Sequence, residues 1–244
     1  MIVPPGFDRA IAREAAFLVQ LAYDQFRNPE WNLGTGYQIL GALRAAGEGL
    51  GFVARNQTTR NVFVVFRGAQ ELRDWRANLS LPPVVHEWGM VEQGFSGLYQ
   101  ECTVSVIQAV KRAPDAPGVF ATGHSLGAAL ATLAAADLAI HGIAAALYNF
   151  ASPRVGNTKF AQAFNANALV TARWRIVNTE DIVTTVPLAT PVPLGADMLG
   201  AIGTVFAPVH QFDYMHVGTP VDFTVNNGSI SGNHNLATYI AALE

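Results

Sequence analysis

The segment of the chain most suited to chemistry is the pentapeptide Gly123-His124-Ser125-Leu126-Gly127, which places a serine between two glycines. A strand-like run, Val119–Thr122, precedes it, and a run of small residues that favours a helix, Leu126–Ile140, follows it. In such a strand–turn–helix the serine hydroxyl is expected to be exposed at the start of a helix, where free N–H groups favour nearby negative charge. Bulkier residues would collide in so sharp a turn, which explains glycine at both ends. The pattern predicts Ser125 as a nucleophile.

A nucleophilic serine needs a base, and histidine suits that role because its pKa lies near neutrality. The usual chain order is serine, then acid, then histidine, so the base is sought after Ser125. His234 is favoured because it lies in a loop just before a predicted terminal helix, Leu236–Leu243. His216 is the rival. His141 ends the helix that follows Ser125 and is expected only to complement its dipole.

A carboxylate must hold the histidine in the correct tautomer. Asp181 follows a predicted strand, Ala172–Val177, after a short turn. It therefore lies at the carboxyl end of a strand, where catalytic groups gather in open α/β sheets. The neighbouring Glu180 is the alternative, whereas Asp137 is expected to point away from the site.

Attack on a carbonyl creates an oxyanion that needs positioned donors. One predicted donor is the backbone N–H of Leu126, directly after the nucleophile. The second is expected from the loop after the strand Asn61–Phe66, with the N–H of Ala69 preferred and Gln70 next.

Strands that alternate with helices position these residues, and they predict one α/β domain over residues 1–244. The expected architecture is a mostly parallel central sheet with helices on both faces. Apart from the segments already given, the predicted strands are 37–43, 51–57 and 145–150, and the predicted helices are 8–26, 74–78, 95–112 and 157–167.

Composition excludes several classes of function. Half of the 244 residues are hydrophobic, 14% are charged, and the net charge of −3 leaves no basic stripe for nucleic acid. No apolar run reaches the ~18 residues of a membrane span. The single cysteine, Cys102, forms no internal disulfide. No basic and apolar leader is visible, so we expect either a cytoplasmic protein or a secreted one whose leader was removed.

Two stretches are unusually apolar. Residues 81–94 are expected to be irregular with an exposed Trp88, and residues 184–209 combine leucine, valine and alanine with prolines that exclude a long helix. The second stretch is either a buried crossover loop or an apolar wall beside the active site. The predicted substrate-binding residues of the two stretches are Val84, Val85, Trp88, Met90, Val91, Leu188, Leu194, Met198 and Leu199.

Several motifs occur in one family's order from about residue 60 onward. They are Val64-Val65-Phe66-Arg67-Gly68, Asp74-Trp75, Asn78-Leu79, Gly94-Phe95, Gly123-His124-Ser125-Leu126-Gly127, Phe150-Ala151-Ser152-Pro153-Arg154-Val155-Gly156-Asn157, Asn178-Thr179-Glu180-Asp181-Ile182-Val183, His216-Val217-Gly218 and His234. Together they resemble the fungal-type triacylglycerol lipases, or class 3 lipase family.

The resemblance implies an α/β-hydrolase fold and ester hydrolysis without a metal or cofactor. It implies Ser125 as nucleophile, Asp181 as orienting acid and His234 as base, with His216 structural and residues 81–94 as the lid.

The chain departs from the family pattern at Ala69, where members commonly carry a hydroxyl residue, and at Gln93, where a histidine is common. The missing hydroxyl predicts slower turnover or a substitute donor such as Gln70. The lack of disulfides differs from the secreted fungal members and points to a bacterial-type or intracellular relative.

The leading hypothesis is a lipase or esterase that acts on acylglycerol-type esters through an acyl-enzyme, in transient contact with a lipid interface. The alternatives are a phospholipase, a feruloyl-type esterase, and a non-catalytic lipid-binding protein on the same fold.

Overall fold

A seven-stranded sheet forms the centre of the protein in a computed structural model that describes residues 1–28, 32–69, 82–187 and 213–244. The described strands are β1 Tyr37–Ala45, β2 Glu48–Asn56, β3 Val62–Phe66, β4 Val84–His86, β5 Gly89–Val91, β6 Val119–His124, β7 Ala145–Phe150, β8 Gly156–Asn157, β9 Val170–Asn178, β10 Tyr214–Met215 and β11 Thr219–Phe223. The described helices are α1 Arg9–Arg27, α2 Gln93–Lys111, α3 Leu126–Ile140, α4 Thr158–Ala166, α5 Ile230–Asn233 and α6 Leu236–Leu243.

The strand order of the large sheet is β1-β2-β3-β6-β7-β9-β11. The first three strands pair antiparallel, and every pair from β3–β6 to β9–β11 is parallel. The predicted mostly parallel sheet is therefore confirmed. Because the carboxyl ends of the parallel strands meet at one edge, the loops that follow β3, β6 and β9 lie close together.

Two hydrophobic clusters cover the two faces of this sheet. In β3, Val62, Val64 and Phe66 belong to the cluster that holds α2 and α3, whereas Phe63 and Val65 belong to the cluster that holds α1 and α6. All five residues are buried, as expected for a strand enclosed by helices on both faces. The helix that follows Ser125 is buried on nearly every side, and alanine at seven of its fifteen positions allows this close packing.

Helix α1 begins as predicted. The Asp8 side chain accepts hydrogen bonds from the N–H groups of Ala10 and Ile11 at 2.8 and 3.1 Å, which caps the helix. In the described ranges no helix is both long and apolar enough to cross a bilayer. Cys102 is buried and forms no disulfide within the described residues.

The prediction of an irregular segment over residues 81–94 is wrong in its described part. Strands β4 and β5 form a hairpin within a small sheet of order β10-β8-β5-β4, and α2 begins at Gln93. These strands are only two or three residues long, so they carry no recognisable alternation. They form because distant segments pair, for example Val91 with Gly156.

Trp88 is likewise not the exposed residue predicted. Its ring lies 6.4 Å from that of Phe160 and 6.0 Å from that of Phe164, both in α4, and it packs against the main core. Val91 is fully buried. Val91 therefore belongs to the main core, and Trp88 is partly buried against it.

Candidate active site

The backbone at Ser125 is folded as a sharp turn between β6 and α3. Ser125 has φ +57° and ψ −124°, a conformation that non-glycine residues rarely adopt. A Cβ at Gly123 would lie 2.2 Å from the Gly127 carbonyl oxygen, and a Cβ at Gly127 would lie 2.5 Å from the carbonyl oxygens of Phe66 and Arg67. The steric reason for both glycines is thus confirmed. Because Gly127 has no side chain, α3 can approach the end of β3 closely at this residue.

The structure brings Ser125, His234 and Asp181 together. Ser125 Oγ lies 2.7 Å from His234 Nε2, and His234 Nδ1 lies 2.7 Å from Asp181 Oδ2. All three residues are buried, at most 5% exposed, so the prediction of an exposed Ser125 hydroxyl is wrong. An ionised carboxylate only accepts hydrogen bonds, so Nδ1 carries the proton and Nε2 presents its lone pair to the serine hydroxyl. This arrangement suits transfer of the serine proton to the imidazole.

Two groups besides His234 hold the Asp181 carboxylate. It caps the 3₁₀ turn Ile182–Thr185 after β9, where its Oδ1 accepts the N–H of Val183 at 3.0 Å. The Tyr239 hydroxyl donates to Oδ2 at 2.6 Å. Burial and the charge of Asp181 raise the pKa of Tyr239 well above its usual value, so it remains a donor.

Tyr239 is a residue that the sequence reasoning missed. It is fully buried in α6, five positions after His234. A buried tyrosine hydroxyl usually needs a partner. Its position on the inner face of the terminal helix was the available signal.

His234 follows directly after α5, a short helix that the sequence did not predict. The Ser229 side chain caps α5, and the N–H of His234 donates to the Ile230 carbonyl at 3.0 Å. Asn178 Nδ2 donates to the Asn233 carbonyl at 3.1 Å. The end of β9 is therefore bonded directly to the residue before His234, which fixes the imidazole relative to Asp181.

The two expected oxyanion donors belong to different segments, the first turn of α3 and the loop after β3. The N–H of Leu126 opens α3 and has no acceptor within its own helix. Ala69 is half-buried in the loop after β3. The Arg67 guanidinium donates a hydrogen bond to the Gly68 carbonyl oxygen at 2.8 Å. Because the following trans peptide is planar, the N–H of Ala69 points away from Arg67. Gln70 lies outside the described residues.

The alternative acid and base occupy other positions. Glu180 Oε2 accepts from the exposed Asn226 side chain at 3.2 Å. His216 Nε2 donates to the Thr184 carbonyl at 2.7 Å. Burial, with the nearby cations Arg175 and Arg154, lowers the pKa of His216 to about 3, so it stays neutral.

Asp137 and His141 interact with each other at the far end of α3. The ring nitrogen Nδ1 of His141 lies 3.2 Å from Asp137 Oδ1, and Tyr99 donates to Asp137 Oδ2 at 3.0 Å. Neither of them takes part in the hydrogen bonds around Ser125.

The predicted substrate-contacting residues divide into two groups. In the hairpin, Val85 is 84% exposed and pairs with Met90, while Val84 is half-buried against the core. The others, Leu188, Leu194, Met198 and Leu199, lie outside the described residues, as does the predicted helical turn 74–78.

Curated proteins and solved structures similar to this chain carry lipase names. A rice protein named phospholipase A1 EG1, chloroplastic/mitochondrial (Oryza sativa subsp. indica) is 30% identical, over 86% of this chain and 59% of its own length. Secreted mono- and diacylglycerol lipase A of Penicillium cyclopium is 34% identical, over 57% of this chain and 47% of its own length. The chain thus spans about half the length of these relatives.

Among solved structures, that of mono- and diacylglycerol lipase from Aspergillus oryzae superposes with a TM-score of 0.70 at 21% identity, covering 94% of this chain and 85% of that one. A triacylglycerol lipase described as having a serine protease triad superposes with a TM-score of 0.63 at 27% identity, covering 74% of each chain. The fold is therefore that of the α/β-hydrolases. The family model described as Lipase (class 3) matches residues 63–190. Since that match covers more than half of the sequence and includes both Ser125 and Asp181, this chain belongs to the class 3 lipase family.

Proposed function

We propose that the protein hydrolyses carboxylic esters through an acyl-enzyme formed on Ser125. The observation that carries this proposal is the pair of 2.7 Å contacts that join Ser125 Oγ to His234 and His234 to Asp181. A buried serine hydroxyl bonded to an oriented imidazole is the arrangement that activates a weak nucleophile. The same geometry argues against a non-catalytic lipid-binding role, which would not need it.

In the first half-reaction His234 Nε2 takes the Ser125 proton while Oγ bonds to the ester carbonyl carbon. The carbonyl oxygen becomes an oxyanion, which the N–H groups of Leu126 and Ala69 stabilise. The tetrahedral intermediate collapses as the carbon–oxygen bond to the alcohol breaks, and His234 gives its proton to the departing oxygen. Water then repeats the sequence on the acyl-enzyme, releasing the acid and restoring the serine.

Asp181 remains ionised throughout and stabilises the imidazolium. Every proton is moved between Ser125, His234, the alcohol and water, so the cycle needs no added cofactor.

We propose acylglycerols as the substrate class, met in transient contact with a lipid interface. Support comes from the family and from relatives named as mono- and diacylglycerol lipases. A phospholipid is the second candidate, because a relative that matches 86% of this chain is named as a phospholipase A1. The catalytic groups would be the same for both, so the apolar binding surface must decide between them.

The test compares hydrolysis of diacylglycerol, phosphatidylcholine and a feruloyl ester by the wild type, Ser125→Ala and Ser105→Ala. Ser105 is a half-buried serine of α2 and serves as the matched control. We expect acylglycerol hydrolysis by the wild type and the control, with only background rates for Ser125→Ala. Activity retained by Ser125→Ala would overturn the proposed mechanism, and exclusive activity on phosphatidylcholine would replace the proposed substrate class.

A further inference from the structure

A buried chain of hydrogen bonds links α1 to the active site through side chains outside the three described above. Resting on the proposed ester hydrolysis, we propose that Tyr23 is a positioning residue, whose hydroxyl holds the oxyanion loop and the His234 backbone in register with the Ser125 turn. Tyr23 lies in α1, about a hundred residues before the nucleophile.

The links of this chain are short and buried. The Tyr23 hydroxyl oxygen lies against Gly68, where an added Cβ would be 2.3 Å from it. That hydroxyl lies 2.9 Å from His124 Nδ1, and His124 Nε2 lies 2.8 Å from the His234 carbonyl oxygen. Tyr23 is 9% exposed and His124 4%. Neither side chain has free access to water as a substitute partner.

The direction of each bond follows from the groups available. A carbonyl only accepts, so His124 Nε2 carries a proton and donates to His234. Burial and the neighbouring His234 lower the pKa of His124 well below its usual value, so the ring is neutral and Nδ1 must accept. The Tyr23 hydroxyl therefore donates to Nδ1. Burial raises the pKa of Tyr23 to about 12, which keeps its proton in place.

The two ends of the chain are the parts of the site that require accurate placement. Gly68 precedes Ala69, the expected oxyanion donor, and a Cβ at Gly68 would lie 3.1 Å from Ser125 Cβ. The other end is the backbone of His234, the proposed base. The ring that connects them, His124, is the immediate neighbour of Ser125 in the pentapeptide.

A second contact joins α1 to the same loop. The Arg67 guanidinium carbon lies 3.8 Å from the centre of the Phe26 ring, which is one turn after Tyr23 in α1. Helix α1 thus contacts residue 67 through a cation–π interaction and residue 68 through the Tyr23 hydroxyl. Both residues contact the loop, and of the two Tyr23 is also connected to His234, through His124.

Replacing Tyr23 with phenylalanine removes one oxygen, which leaves the buried His124 Nδ1 without its donor and removes the contact against Gly68. We expect kcat to fall on the order of tenfold while KM stays within about twofold, because the damage lies in placement of the reacting groups. The matched control is Tyr37→Phe. It removes a hydroxyl that donates to Glu14 Oε1 at 2.9 Å, outside the hydrogen bonds around Ser125. Wild-type kcat is expected for this control.

A double-mutant cycle with His124→Gln tests whether the two side chains act as one unit. If they do, Tyr23→Phe adds little to the loss already caused by His124→Gln. Additive losses, or a Tyr23→Phe enzyme whose kcat equals that of Tyr37→Phe, would overturn the proposal.

Nitrogen-15 NMR of the histidine rings provides a readout that does not depend on activity, and its main result comes from the wild type alone. In the wild type we expect His124 to be neutral and protonated on Nε2, with its Nδ1 resonance shifted in Tyr23→Phe. A ring protonated on Nδ1 would refute the chain of bonds. Wild-type protein that shows the expected tautomer but hydrolyses no ester would refute the proposed function instead, so the two failures are distinguishable.

Discussion

The close approach of α3 to β3 makes Gly127→Ala an informative perturbation. The added Cβ would lie 2.5 Å from the carbonyl oxygens of Phe66 and Arg67, which are backbone atoms and cannot rotate away. To reach an ordinary contact of 3.4 Å, the helix and the loop must separate by about 0.9 Å. The two expected oxyanion donors lie on opposite sides of that gap.

The size of the effect follows from this displacement. Misplacing a catalytic group by 1 Å costs about 10²-fold in rate, so we expect Gly127→Ala to lower kcat by about that factor. Overpacking a well-packed region costs about 1–3 kcal/mol, and the better helix propensity of alanine returns about 1 kcal/mol. The net loss in the free energy of unfolding is therefore about 2 kcal/mol at most.

The matched control is Gly97→Ala in α2, where an added Cβ meets nothing within 4 Å. It should keep wild-type kcat and gain about 0.5–1 kcal/mol from helix propensity. The assays are the burst and steady-state hydrolysis of a nitrophenyl ester, together with urea unfolding of each variant. A Gly127→Ala enzyme that turns over as fast as Gly97→Ala would refute the reasoning, since the loop and the helix would then not need this spacing.

Three further predictions concern single side chains. Ala69→Thr adds a hydroxyl that Ala69→Val, of similar shape, lacks. It should therefore raise kcat relative to Ala69→Val by lowering the activation free energy, by up to the ~3 kcal/mol that an oxyanion donor supplies. Equal rates for the two variants would contradict a donor role at this position. Because the pKa of His216 is about 3 rather than 6.5, the unfolded chain binds a proton that the folded chain does not once the pH falls below 6.5. The wild type should then lose about 2 kcal/mol more than His216→Gln between pH 6.5 and pH 5 in urea unfolding, and parallel pH profiles would count against a buried neutral imidazole. Tyr239→Phe removes the hydroxyl that donates to the Asp181 carboxylate and should lower the free energy of unfolding by about 2 kcal/mol, a loss that calorimetry would detect and whose absence would deny that bond.

The parts of the site that were predictable are those with local chemical requirements. The sharp turn at Ser125 was predictable because glycines stand at 123 and 127, a strand comes before Ser125 and a helix follows it. Asp181 follows a recognisable strand, and the prediction of a parallel sheet places that strand's end at the same edge as Ser125. His234 was favoured over His216 because of its place before the last helix, and only His234 lies beside Ser125.

The features that were missed depend on contacts between distant segments. Strands β5 and β8 are three and two residues long, and they exist because Val91 pairs with Gly156. Trp88 was predicted to be exposed because its neighbours in sequence are irregular, whereas it packs on Phe160 and Phe164. No periodicity within residues 81–94 could indicate that partner.

The central claim is that His234 activates Ser125 for attack on an ester. The most direct measurement is the rate and position of phosphorylation by a nitrophenyl phosphate triester, followed by peptide mass spectrometry of the wild type and of His234→Gln. We expect one adduct, on the peptide that contains Ser125. In His234→Gln it should form on the order of 10³-fold more slowly or not at all. An adduct on another residue, or labelling of His234→Gln at the wild-type rate, would contradict it.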